Sequence, residues 1–284
     1  MTAPLSPQRG LVLVADDDPV MRLLMRQMLT QVGLDVIEAE DGVQALASYK
    51  HSGPDLVMLD VDMPALDGFA VCREIRRHEQ QCGHARVLPI VAITANALQG
   101  DREACLAAGM DDYLSKPFTQ QDLGHTIARW ITLPRAASVH HSEAPQAQTP
   151  RETPPEATPP SAAPPAGQPL NRQALENIRA LSRADGDALL ERVILAFTSE
   201  TPRQLAAMRE AIAGADAEAL RKVAHSLKSG SANVGADALA QLCKDMEKLG
   251  RANSTEGAAG MLQDMEREFL AVRESLSAIL VKEH

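Results

Sequence analysis

Leu11-Val-Leu-Val-Ala15 runs directly into Asp16-Asp17-Asp18-Pro19. Five apolar residues without helical spacing read as a strand buried on both faces, and acids followed by proline mark the turn into a helix. The pattern recurs downstream. Asp35-Val-Ile-Glu38, Asp55-Leu-Val-Met-Leu-Asp60 and Pro89-Ile-Val-Ala-Ile-Thr94 are further strands, with a weaker fifth at Tyr113-Leu-Ser115. Between and after them, residues 19–32, 42–51, 67–79, 99–108 and 119–131 carry helical patterns. Strands alternating with helices predict right-handed crossovers and an α/β doubly wound, five-stranded parallel sheet.

Such a sheet brings the carboxyl ends of its strands to one edge, where ligands bind. Asp16, Asp17 and Asp18 follow the first strand and Asp60 ends the third. Carboxylates crowded there repel one another, which favours a bound divalent cation, and hard oxygen ligands suit Mg²⁺. Thr94 ends the fourth strand and Lys116 follows the fifth, adding a hydroxyl and an ammonium. Cation, hydroxyl and ammonium around one carboxylate form a trap for a phosphoryl group, whose transfer depends mainly on positioning and charge neutralisation.

The rest of the chain differs in kind. Ten of the 18 prolines fall between Pro134 and Pro169, among Ala, Ser, Thr, Gln and Glu. That composition buries too little apolar surface to offset ordering entropy and reads as a linker. Beyond it no strand pattern occurs. Residues 172–183, 186–199, 202–213, 216–233, 237–250 and 257–281 show apolar residues at helical spacing, predicting an all-α helical bundle. The expected division is therefore 1–133, a linker at 134–169, and 170–284.

The net charge of −10 is spread as −7, −1 and −2 over those three segments, so no region offers the basic footprint of a nucleic-acid binder. The four cysteines stand apart with no metal-binding spacing and read as reduced thiols. No apolar run approaches the ~20 residues of a membrane span, and Met1–Gly10 lacks the apolar core of a signal peptide. A soluble, cytoplasmic protein is expected.

On the helix at 216–233, Leu220, Val223, Ala224 and Leu227 form the apolar stripe, leaving His225 on the exposed polar face with Arg221, Lys228 and Ser229. Ser229-Gly-Ser-Ala232 places small residues one turn beyond it, as a docking partner would need. Gly230 costs about 1 kcal/mol in helix propensity against Ala. Lys228 and Arg221 stand ready to neutralise a phosphoryl group on the ring.

Val14-Ala-Asp-Asp-Asp-Pro19, Met58-Leu-Asp-Val-Asp-Met-Pro64, Ile93-Thr-Ala95 and Asp111-Asp-Tyr-Leu-Ser-Lys-Pro-Phe118 together resemble the response-regulator receiver domain. The resemblance implies a flavodoxin-like fold with Asp60 as phosphoacceptor. It implies Mg²⁺ held by Asp17, Asp60 and the backbone carbonyl of Asp62, with Asp16 acting through water. It also implies Thr94 and Tyr113 as the switch pair, Lys116 as the phosphate-contacting lysine, and a cis Lys116-Pro117 bond. His225-Ser-Leu-Lys-Ser-Gly-Ser-Ala-Asn-Val-Gly-Ala236 resembles the histidine-phosphotransfer (HPt) domain, implying phosphotransfer on His225 with Lys228 beside it. The two resemblances imply a two-component phosphorelay protein, with a sensor histidine kinase and another response-regulator receiver as partners. They imply no turnover enzyme beyond transfer on its own Asp and His, and no Gly-rich ATP loop is present. Two alternatives remain open from the residues: Asp60-Val-Asp62 also fits the DxD of haloacid-dehalogenase-type phosphatases, and the chain could be a non-phosphorylated interaction scaffold.

Limited proteolysis should cut first within 134–169 and leave two stable fragments. First cleavage inside 10–131 or 170–282 overturns the division.

Overall fold

β1 (Leu11–Ala15), β2 (Asp35–Ala39), β3 (Leu56–Asp60), β4 (Ile90–Thr94) and β5 (Asp112–Ser115) pair in parallel in the order β2-β1-β3-β4-β5. The computed structural model describes residues 10–83, 87–94, 99–131, 170–182 and 185–282. The register sets Ala15 beside Leu59, Asp60 beside Ile93, and Thr94 beside Ser115. The acids after β1, Asp60 and Lys116 therefore meet at one sheet edge. Alternation along the strands divides the core. Val12, Val14, Met58 and Ile93 face α1 (Pro19–Gln31) and α5 (Gln120–Trp130), while Leu13, Leu59 and Ala92 face α2 (Gly42–Ser52), α3 (Gly68–Cys82) and α4 (Gln99–Ala107).

Local chemistry sets the helix ends. Asp18, Asp41 and Asp67 cap the starts of α1, α2 and α3 with their carboxylates, and Thr119 with Asp122 closes a capping box on α5. Gly68 is needed for packing. A Cβ there would lie 2.2 Å from the carbonyl oxygen of Asp60, so only glycine lets α3 begin against the end of β3.

The second half contains α6 (Arg172–Ala180), α7 (Gly186–Ala213), α8 (Ala217–Asn233), α9 (Asp237–Arg251) and α10 (Ala258–Lys282). The helices α7, α8, α9 and α10 pack in a closed ring, with α6 against α7. One expectation is corrected: 186–199 and 202–213 form a single helix with Pro202 inside it. A proline within a helix loses one backbone hydrogen bond and clashes with the preceding turn, costing roughly 3 kcal/mol. The buried stripe Val193, Ile194, Phe197, Thr201, Leu205 and Met208 nevertheless runs unbroken past it. Burying side chains of this kind contributes about 1.5–3 kcal/mol each, so the continuous stripe outweighs the proline.

The two halves touch. Val20, Met21, Leu24, Met25, Met28 and Leu29 are buried over about half the circumference of α1, because this helix packs on the sheet and also on α7 and α8. The apolar cores of the two halves merge there. The stretch 134–169, expected as a linker, lies outside the described residues, as do His140 and His141. Among the described residues no helix is long and apolar enough to cross a membrane.

Replacing Pro202 by Ala restores the missing backbone donor, and the variant should resist unfolding by about 1–2 kcal/mol more than the parent. Urea melts followed by circular dichroism would measure it; an unchanged or lower midpoint would show that the helix has adapted fully to the proline.

Candidate functional site

Asp16 and Asp60 are buried at the carboxyl edge of the sheet, with Asp17 between them and solvent. Each of Asp16, Asp17 and Asp60 offers an oxygen within 4.8 Å of the others, a grouping able to hold a cation. Asp18 turns away to cap α1, accepting from the Val20 amide at 2.9 Å. Lys116 bridges the pair, its Nζ 2.6 Å from Asp60 Oδ2 and 2.8 Å from Asp16 Oδ2. It is placed by β5: the Lys116 amide donates to the Thr94 carbonyl at 2.7 Å, and the next peptide bond, Lys116–Pro117, is cis. Thr94 is buried at the same edge. Tyr113 lies further off and half-buried, with the Arg102 guanidinium 5.9 Å from the centre of its ring.

One ammonium does not balance three acids. Burial, and then repulsion from Asp60, push Asp17 up to about 7, although Lys116 opposes them. Asp16 is raised well above the ordinary range, chiefly by burial and then by its acidic neighbours against the pull of Lys116. Burial would raise Asp60 too, but the charge and hydrogen bond of Lys116, with help from His225, hold it below the usual range. Lys116 itself is buried, which works against its charge, yet Asp16 and Asp60 hold its ammonium above the lysine range. The buried Oδ2 of Asp18 accepts no hydrogen bond. Hard oxygens and excess negative charge suit a small divalent cation.

The second half covers this edge. His225 was expected on an exposed helix face; the structure leaves it 1% exposed, because that face of α8 is turned to the sheet edge. Its Nδ1 lies 2.9 Å from Glu247 Oε1 on α9, and its Nε2 is buried without a hydrogen-bond partner, 3.8 Å from Asp62 Oδ2. Burial would raise Glu247, but hydrogen bonds from His225 and Lys228 hold it far below the usual carboxylate range. An ionised carboxylate only accepts, so Nδ1 carries a proton and Nε2 faces the sheet edge. Lys228 donates to Glu247 Oε2 at 2.5 Å and lies 3.4 Å from Nδ1, on the side away from Nε2. Arg251 completes the cage on Glu247 Oε1 at 2.6 Å.

Other residues of α8 reach across. Ser226, held by Gln204 at 3.1 Å, shares a cleft with Asp17, and its hydroxyl works against the rise of that carboxyl. Gly230 faces the Asp18 carboxylate, where an added Cβ would lie 3.4 Å away, so larger side chains would push the halves apart. Arg221, expected to neutralise a phosphoryl group, pairs with Glu218 and with Asp62. A cleft of about 440 Å³ between the halves, lined by Asp17, Asp41 and Pro64 and by Arg203, Lys222 and Ser226, leaves a way in to Asp17.

Sequence reasoning missed Glu247. It lies among Leu239, Cys243, Met246 and Gly250 on the buried side of α9, and a lone acid on an apolar stripe was the available signal.

Comparison with known proteins finds a match for each half of the chain. The family model described as "Response regulator receiver domain" matches residues 12–128, and that of the "Hpt domain" matches residues 192–280. The sensor histidine kinase GacS of Pseudomonas protegens is 31% identical over 90% of this chain and 26% of its own length. The sensor protein EvgS of Escherichia coli K12 is 31% identical over 80% of this chain and 16% of its own. The response regulator MprA of Mycobacterium sp. strain KMS is 42% identical over 45% of this chain and 51% of its own. The chain thus spans about a quarter or less of the two sensor proteins.

A carboxylate depressed by folding contributes stability that is present above its unfolded pKa of roughly 4.3 and is lost as pH falls toward the folded value. Glu247→Gln should therefore cost about 1–3 kcal/mol at pH 7, with the gap to the parent narrowing below about pH 4. Urea unfolding from pH 3 to 7 checks this. A gap independent of pH would show that the carboxylate charge is not what matters.

Proposed function

Because the chain carries a response regulator receiver domain and an Hpt domain, we propose that it is a phosphorelay intermediate in which Asp60 and His225 exchange a phosphoryl group within one chain. The observation that carries this is the partnerless Nε2 of His225, buried against the edge that holds Asp60 while Glu247 grips the opposite ring nitrogen. In the step from Asp60, the Nε2 lone pair attacks phosphorus, a P–N bond forms, and the P–O bond breaks to release the Asp60 carboxylate. The ring keeps its Nδ1 proton, and Glu247 offsets the positive charge that develops. Lys116 remains to neutralise the freed carboxylate. The reverse step uses the same atoms.

Asp16, Asp17 and Asp60, with the backbone carbonyl of Asp62, would hold Mg²⁺, which when bound neutralises phosphoryl oxygens. Thr94 and Tyr113 would serve as the switch pair. A sensor histidine kinase would supply the phosphoryl group, and a further receiver would exchange it with His225. The receiver portion is placed at 1–133 and the Hpt portion at 170–284, with a linker between, in the cytoplasm and without nucleic-acid contacts. The phosphatase and scaffold alternatives find no support in the family matches.

Acetyl phosphate with Mg²⁺ should label the chain, and EDTA or Asp60→Asn should remove the label. With Asp60 intact, acid-labile and base-stable phosphate should then appear on His225 at a rate independent of protein concentration. A rate proportional to concentration would instead mean transfer between chains. Labelling of the Asp60→Asn chain by acetyl phosphate equal to that of the parent would sink the acceptor assignment.

A further inference from the structure

We propose that Arg221 is a specificity-determining residue: by pairing with Asp62 it addresses the helix bearing His225 to the receiver of its own chain. The proposal rests on the relay reading above and adds a recognition element to it. Arg221 Nη1 lies 3.1 Å from Asp62 Oδ1, joining residues 159 positions apart. Asp62 stands two residues beyond the phosphoacceptor, and its other oxygen is the one 3.8 Å from His225 Nε2. The pair therefore borders the path along which phosphorus must travel.

Three features set it apart from an incidental surface contact. First, the guanidinium is oriented before docking, since Glu218 one turn earlier accepts from Nε at 3.0 Å and from Nη2 at 2.9 Å. Second, the stem of Arg221 is confined by α9. A Cβ on Gly250 would lie 2.8 Å from the Cβ of Arg221, so glycine there allows the two helices to close. Third, the side chains are only 17% and 29% exposed, so the interaction is screened less than a pair in open solvent.

The remaining contacts between the halves are less selective. The apolar face of α1 would accept any comparable helix surface. The charge pair discriminates by what it excludes. A receiver with a neutral residue in place of Asp62 leaves the half-buried guanidinium short of one partner, and a basic residue there repels it. Arg221 also acts on the chemistry at a distance. With Arg221 removed, the Asp62 carboxylate faces the Nε2 path unneutralised and repels an incoming phosphoryl group. Among the described residues Asp62 has no other ion pair with lysine or arginine. Substituting its side chain leaves its backbone carbonyl in place.

The test uses the full chain. His225 is loaded from phosphoramidate in EDTA, Mg²⁺ is added, and movement of label to Asp60 is followed by rapid quench in the parent, Arg221→Glu, Asp62→Arg and the double variant. Each single variant should transfer at least tenfold more slowly, and the double variant should return to within about threefold of the parent. Restoration by the reversed pair is an outcome that misfolding cannot produce. Single variants within twofold of the parent, or a double variant at least as slow as the slower single, would overturn the assignment of Arg221. Absence of transfer in the parent would overturn the relay reading instead, so the two failures are distinct.

Discussion

Three carboxylates and one ammonium share the carboxyl edge of the sheet, and this imbalance of charge governs what gathers there. Like charges about 4 Å apart repel by roughly 4 kcal/mol where the effective dielectric is near 20. Lys116 relieves Asp60 and part of Asp16, leaving Asp17 pushed up to about 7 by burial and by its neighbour Asp60. The edge therefore attracts what would complete the balance: a divalent cation, hydroxyl donors, and the cationic groups of a facing surface. The sheet supports this arrangement because its register forces the ends of β1, β3 and β5 together. A close-packed glycine at position 68 fixes the backbone of Asp60 from behind.

The helical half answers that edge with few groups, each held in place from its own side. Glu247 sets the tautomer of His225 and is itself held by Lys228 and Arg251. Glu218 orients Arg221, and Gln204 orients Ser226. Holding each donor within its own helices lowers the ordering cost of bringing the halves together. It also divides the imidazole between its nitrogens, one fixed by a carboxylate and one left without a hydrogen-bond partner.

The strand–helix alternation and the carboxylate edge were legible because they are written locally. Leu11 to Ala15 can only be a buried strand, and an Asp or Thr before a helical pattern is a cap whatever lies elsewhere. Pro202 misled for the same reason. A proline is a local break signal, while the stripe from Val193 to Met208 that overrides it draws its energy from burial against other helices. His225 misled in the opposite sense: the residues around it read as a solvated face, and the face is covered by the other half of the chain.

By itself, then, the sequence determined the order of elements, the set of acids at the sheet edge, and the helix that carries His225, since each follows from nearest-neighbour periodicity and capping. Only the tertiary structure decided which nitrogen of His225 is bare, that Glu247 is its partner, that Lys228 pairs with that carboxylate, and that Arg221 meets Asp62. Those outcomes depend on pairs 19 to 159 residues apart. Distances of that kind arise from the packing of α8 on α9 and of α1 on α7 and α8, which no short stretch of residues encodes.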